Sequence, residues 1–203
     1  MYVQHALQQQ DDSPHEDHVI ILQDINWTQF TNLLEAKGDK PIPRLTYLDG
    51  QLELMSPSVD HEKIKSMIGR LLEAYCLEKN ISFSPYGSWT ITSPHNKRAV
   101  EPDECYILGE TLQDQPHLAI EVFWTSGRID KLDVYRKLKV EEVWIWNKGR
   151  IAIYCLDDEQ YAHENRSRLF PDLDLDWLVS FMARPTVFDA VKALGADLKS
   201  RRT

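Results

Sequence analysis

The chain has 203 residues, 42% of them hydrophobic, and a formal net charge of −9. That is enough for one α/β domain with a sizeable core, and too acidic for a protein that coats nucleic acid by bulk charge. No stretch approaches the roughly 20 apolar residues of a membrane helix, and the first residues, MYVQHALQQQDDSPHEDH, lack the basic patch and apolar run of a signal peptide. A cytoplasmic protein with no membrane association is expected. The three cysteines (Cys76, Cys105, Cys155) form no CxxC pair and the seven histidines are scattered, which argues for reduced core thiols and against a zinc site.

Residues 1–18 read as a flexible acidic tail, with Asp11, Asp12, Glu16 and Asp17 and no Lys or Arg. Residues 19–203 read as a single domain with a C-terminal helical extension. Asn26 opens a helical pattern that Gly38 closes, with Trp27, Phe30, Leu33 and Leu34 on its apolar face. A hairpin follows, RLTYL-DG-QLELM, in which Asp49-Gly50 is the two-residue turn. Helical spacing over Asp60 to Lys79 comes next, and then short strands around Ile81–Tyr86 and Trp89–Thr92. AVEPDECYIL reads as a strand broken by Pro102. HLAIEVFW is the near-continuous apolar run of a strand buried on both faces. Gly127 precedes a basic amphipathic helix, RIDKLDVYRKLKV. Between Arg128 and Arg150 seven basic residues face four acidic ones. A second hairpin, EVWIW and RIAIYCL around Asn147-Lys148-Gly149, is followed by helical patterns to the end of the chain.

Glu121 is the anomaly. Strand alternation places it on the face of Ala119 and Phe123 inside an apolar run, where a carboxylate loses hydration at a cost of several kcal/mol unless it is compensated. A core cation, a hydrogen-bond network or a metal ion would each serve. Asp103, beside the strand-breaking Pro102, is a second acid where the sheet opens. Two acids on adjacent strands facing one cleft make a hard-oxygen site suited to Mg²⁺ or Mn²⁺, with the Val122 carbonyl as a further ligand. Such an ion polarises a phosphate and activates water. Lys131 opens the following helix and can reach back to stabilise the nucleophile or the phosphate, with Tyr135 one turn later on the same face. His95, Lys97, Arg98 and Trp124 are candidate nucleic-acid contacts. Ordinary loop composition explains the first three equally well, and Trp144 and Trp146 read as core or interface.

On GQLELMSPSVDH, EPDECYIL and PHLAIEVFWTSGRIDKLDVYRKLKVEEVWIW, the sequence resembles the Uma-two family of endonucleases within the PD-(D/E)XK superfamily, from about Ile25 to Pro171. The resemblance implies a restriction-endonuclease-like α/β fold, a central mixed β-sheet flanked by helices, and Mg²⁺-dependent hydrolysis of DNA by a homodimer. Matched by position, Asp103 is the motif Asp and Glu121 the motif Glu. The superfamily's usual Lys position holds Phe123, so the lysine role passes to Lys131. Glu53 matches an accessory acid and His61 a residue supporting the helix start. The rival reading is a nuclease-like domain without catalysis, serving as a binding or regulatory module. A third is an interaction protein whose Glu121 is simply paired with a core cation.

Overall fold

The computed structural model of the chain describes residues 16–110, 113–122 and 129–201. It begins with strand β1 (His18–Leu22), helix α1 (Trp27–Lys37), strands β2 (Arg44–Leu48) and β3 (Gln51–Ser56), and helix α2 (Val59–Lys79). Four short strands follow: β4 (Phe83–Pro85), β5 (Ile91–Ser93), β6 (Arg98–Val100) and β7 (Glu104–Leu108). The second half contains β8 (Leu118–Val122), α3 (Lys131–Lys137), β9 (Glu142–Asn147), β10 (Arg150–Asp157), β11 (Gln160–Glu164), α4 (Leu175–Ser180), a 3₁₀ turn at Phe181–Ala183, and α5 (Val187–Ser200).

These strands build two sheets. One is antiparallel, in the order β1-β3-β2-β6-β5; the other is mixed, in the order β11-β10-β9-β8-β7-β4, with β8 and β9 parallel. The mixed sheet is the expected central sheet flanked by helices, and the antiparallel sheet is an addition that the sequence pattern did not separate from it. The break at Pro102 turns out to be a change of sheet: β6 belongs to the antiparallel sheet and β7 to the mixed one. Asp103 lies at that crossing.

Local chemistry accounts for the elements. Asn26 and Gln29 form a reciprocal capping box at the start of α1, and Gly38 ends the helix with φ +57°. Asp49 and Gly50 both have positive φ (46° and 88°), the geometry that a two-residue hairpin turn requires. Ser58 caps α2 by accepting from His61 N. Asp130 caps α3 by accepting from Leu132 N and Asp133 N. Lys148 and Gly149 turn the second hairpin, also at positive φ.

Alternation assigns the faces. On the antiparallel sheet, Leu45, Tyr47, Leu52 and Leu54 pack with Phe30 of α1. Their neighbours Arg44, Thr46, Glu53 and Met55 are cross-strand partners on the opposite face. On β8, Leu118, Ile120 and Val122 join the core formed with α2, α4 and α5. Ala119 joins Val134 and Tyr135 of α3, Leu138 at its C-terminal end, and Val100 of β6. Helix α3 therefore packs between the two sheets, and Glu121, on the Ala119 face, points at it.

Asp17 is buried, and His18 begins β1, paired with Ser56. Residues 1–15 lie outside the described residues.

Glu101, next to the crossing, ties three elements together. It accepts from Lys37 Nζ of α1 (2.6 Å), Thr90 Oγ1 (2.6 Å) and Leu45 N of β2 (2.8 Å). Glu101→Ala is expected to lower stability by about 3–5 kcal/mol, because it strands the Lys37 ammonium and two further donors. A urea midpoint unchanged from wild type would contradict that role.

Candidate active site

Asp103 and Glu121 come together because of strand register. Glu104 pairs with Ile120 in the antiparallel β7–β8 ladder, so Asp103, one step before β7, comes opposite Glu121. Both side chains are completely buried. Three groups hold Asp103. Its Oδ2 accepts from Val122 N (2.7 Å) and faces His61 Nε2 (2.9 Å), and its Oδ1 accepts from Arg44 Nη1. Glu121 accepts from Lys131 Nζ (2.7 Å) and from the Tyr135 hydroxyl. Lys131 and Tyr135 stand four residues apart on α3, so one helix face presents both.

Glu53 completes the cluster. It lies on β3 on the face it shares with Arg44, and its Oε2 accepts from Ile129 N at 3.3 Å. Its Oε1 is buried with no hydrogen-bond partner among the described residues. Such an orphaned oxygen is costly to bury and gives the cluster an open acceptor.

Charge is distributed unevenly across the cluster. Burial alone would raise the Asp103 pKa, but the His61 hydrogen bond and the charges of His61, Lys131 and Arg44 bring it below the usual carboxylate range. Burial also pushes Glu121 upward, and there it prevails: the Asp103 charge adds to it and Lys131 offsets it only in part. Two neighbouring carboxylates are thus pushed apart, a pattern typical of reacting groups. Burial works against the charged form of Lys131, yet Glu121, Asp103 and Glu53 together raise its pKa, so it remains an ammonium. Burial, followed by the charge and hydrogen bond of Glu121, raises the Tyr135 hydroxyl well above its ordinary value. Desolvation would lower His61, but its bonds to Asp103 and Asp17 outweigh this and raise it to about 9.

Among the described residues, no three His, Cys, Asp or Glu side chains form a ready metal set. The carboxylates of Asp103, Glu121 and Glu53, with the Val122 backbone beside them, nevertheless offer hard oxygen donors, and both ring nitrogens of His61 are engaged with carboxylates. This chemistry fits a hard dication rather than zinc.

Two of the nucleic-acid candidates, Lys97 and Arg98, lie elsewhere. Arg98 pairs with Leu48, at the opposite end of β2 from Arg44 and about 13 Å along the strand. Its guanidinium is buried and forked onto Asp49 (2.7 Å to each oxygen), so it holds the hairpin turn and is not presented to solvent. Lys97 is exposed in the β5–β6 turn. Trp124 and Phe123 lie outside the described residues.

Arg44 and Asp17 were missed. Arg44 had a signal: it alternates with Leu45 and Tyr47 and so shares the inner face with Glu53. Asp17 had none, since its partner His61 is 44 positions away.

Two outcomes are expected in metal-free buffer. Lys131→Met should cost about 3–5 kcal/mol by leaving Glu121 buried and uncompensated, and adding Glu121→Gln should recover most of it; urea melts that show no recovery would contradict the pairing. His61 faces Asp17, Asp103 and Arg44. Because its folded pKa of about 9 lies above the ordinary 6.5, its stabilisation is fully present below pH ~6.5 and is lost as pH rises through about 9. The stability gap between wild type and His61→Gln should therefore shrink across that window; a constant gap would show that the imidazolium contributes nothing.

A family model described as "Putative restriction endonuclease", Uma2, matches residues 27–180. A solved structure, described as "a putative nuclease belonging to DUF820 from Anabaena variabilis ATCC 29413", is similar over 84% of this chain and 99% of its own. Its sequence identity is 14% and the TM-score is 0.48. No curated protein matches the chain. With some three-quarters of its length matched, including both carboxylate strands and the lysine helix, the chain belongs to the Uma2 family.

Proposed function

We propose that the protein is an endonuclease that hydrolyses DNA phosphodiester bonds at the Asp103–Glu121–Lys131 cluster, with Mg²⁺ or Mn²⁺ as cofactor. The observation that carries this reading is the convergence of two fully buried carboxylates from adjacent strands with a buried lysine and the orphaned oxygen of Glu53. Asp103, Glu121 and the Val122 carbonyl would hold the ion, with Glu53 as the accessory acid. When bound, the ion supplies Lewis acidity toward the phosphate and toward a water molecule.

The chain's own residues have separable tasks. Asp103 stays ionised because Arg44, His61 and Val122 N hold it so. Lys131, fixed as a cation by three surrounding carboxylates, stabilises negative charge that develops on the phosphate. Its raised pKa makes it an electrostatic and water-positioning group rather than a base. Tyr135 orients Glu121. Burial of the whole cluster keeps the local dielectric low, which strengthens each of these effects.

Plasmid DNA incubated with wild type and Mg²⁺ or Mn²⁺ should be nicked or linearised. Asp103→Ala should cut at least about 100-fold more slowly, as expected for loss of a group that acts on the reacting centre. Equal cleavage by both would remove the site from the reaction.

A second reading, a binding or regulatory module without catalysis, is favoured by one observation: both carboxylates already have cationic partners. It predicts that wild type cuts no DNA and that calorimetry finds no Mn²⁺ uptake dependent on Glu121.

A further inference from the structure

Asp17 lies before residue 27, where the family match begins. Its side chain is completely buried, and both carboxylate oxygens are in use. Oδ1 accepts from Ser58 N (2.9 Å), at the start of α2, and Oδ2 faces His61 Nδ1 (2.9 Å). The other ring nitrogen of His61 faces Asp103 Oδ2, also at 2.9 Å. The imidazole is therefore clamped between two carboxylates, one from the N-terminal segment and one at the centre of the site. Pairing of β1 with β3, His18 opposite Ser56, delivers Asp17 to this position.

We propose that Asp17 is a positioning residue of the active site: acting through His61, it fixes the orientation of the Asp103 carboxylate for metal binding and DNA cleavage. This rests on the nuclease reading above. The physical reason lies in the ring. A histidine bonded only to Asp103 can turn about its side-chain torsions and present either nitrogen. A second carboxylate on Nδ1 fixes both the ring plane and the placement of its protons. Asp103 Oδ2 then receives His61 and Val122 N together, which leaves the carboxylate a single orientation. Removing a hydrogen-bond partner of a metal ligand commonly changes metal affinity or activity by about 10–100-fold, and Asp17 acts on such a partner, His61.

Asp17→Asn is the discriminating variant. The contacts from Ser58 N and His61 Nδ1 come from donors, so an amide of the same shape can accept only one of them and turns its NH₂ toward the other. Volume is preserved, and the imidazole is no longer held between two carboxylates. Asp17→Asn and Asp103→Ala are compared with wild type by plasmid cleavage, Mn²⁺ calorimetry, thermal melting and ¹⁵N-resolved NMR of the His61 ring. A positioning role predicts that kcat and Mn²⁺ affinity each fall about 10-fold or more in Asp17→Asn, with KM for DNA within about twofold. It also predicts loss of the slowly exchanging Nδ1 proton. A role confined to capping α2 predicts a lower melting temperature with kcat, Mn²⁺ affinity and the ring signal unchanged, and that result overturns the proposal while leaving the nuclease reading intact. A wild type that neither takes up Mn²⁺ nor cuts DNA overturns both.

Discussion

A carboxylate removed from water must be met by positive charge or by donors, and the middle of this protein removes two. Glu121 and Asp103 are both fully buried where the two sheets meet. Much of the surrounding architecture serves to neutralise them. Helix α3 is placed so that Lys131 and Tyr135 face Glu121. Helix α2 starts where His61 reaches Asp103. Strand β2 begins with Arg44, whose guanidinium spans Asp103 and Glu62. The cluster is therefore a structural hub of the fold. Moving one of its members disturbs several elements together.

The other buried acids show why burial alone does not define a site. Glu101 is saturated by a lysine, a hydroxyl and a backbone amide. Glu142 accepts from Trp144 Nε1, Arg168 N and Leu169 N and so pins the segment after β11 to the mixed sheet. Both acids hold the fold together. The central cluster differs in carrying several carboxylates together, with pKa values driven in opposite directions and one buried oxygen left without a donor. An acceptor left open beside a lysine is what a site that takes up an ion or a water would retain.

Much of the fold was legible because its signals are local. Asn26, Gly38, Asp49-Gly50 and Lys148-Gly149 mark caps and turns through their own backbone chemistry, and all act as such. The apolar run around Glu121 identified the strand that would bury a carboxylate, and alternation correctly set Glu121 on the Ala119 face, toward α3. Edge strands were harder. β11, QYAHE, is polar and part-exposed, and β1, HVIIL, exposes Ile20, so neither shows clean alternation. The split of AVEPDECYIL between two sheets was marked by Pro102, but the sequence gives a break without its destination. In the site, Glu121 could be singled out because it is chemically out of place in its own apolar segment, and the family resemblance is what joined Asp103 and Lys131 to it. Asp17 and Arg44 find their partners only through tertiary folding, 44 and 59 positions away.

The central claim is that these carboxylates form a metal site whose present cations are its neighbours and not its purpose. Crystals of the wild type soaked in Mn²⁺ and measured at the manganese edge test it directly. The predicted result is an anomalous peak bonded to Asp103, Glu121 and the Val122 carbonyl, with Lys131 withdrawn from Glu121 to make room. A map with no peak there, and with Lys131 still seated on Glu121 at saturating Mn²⁺, would contradict it.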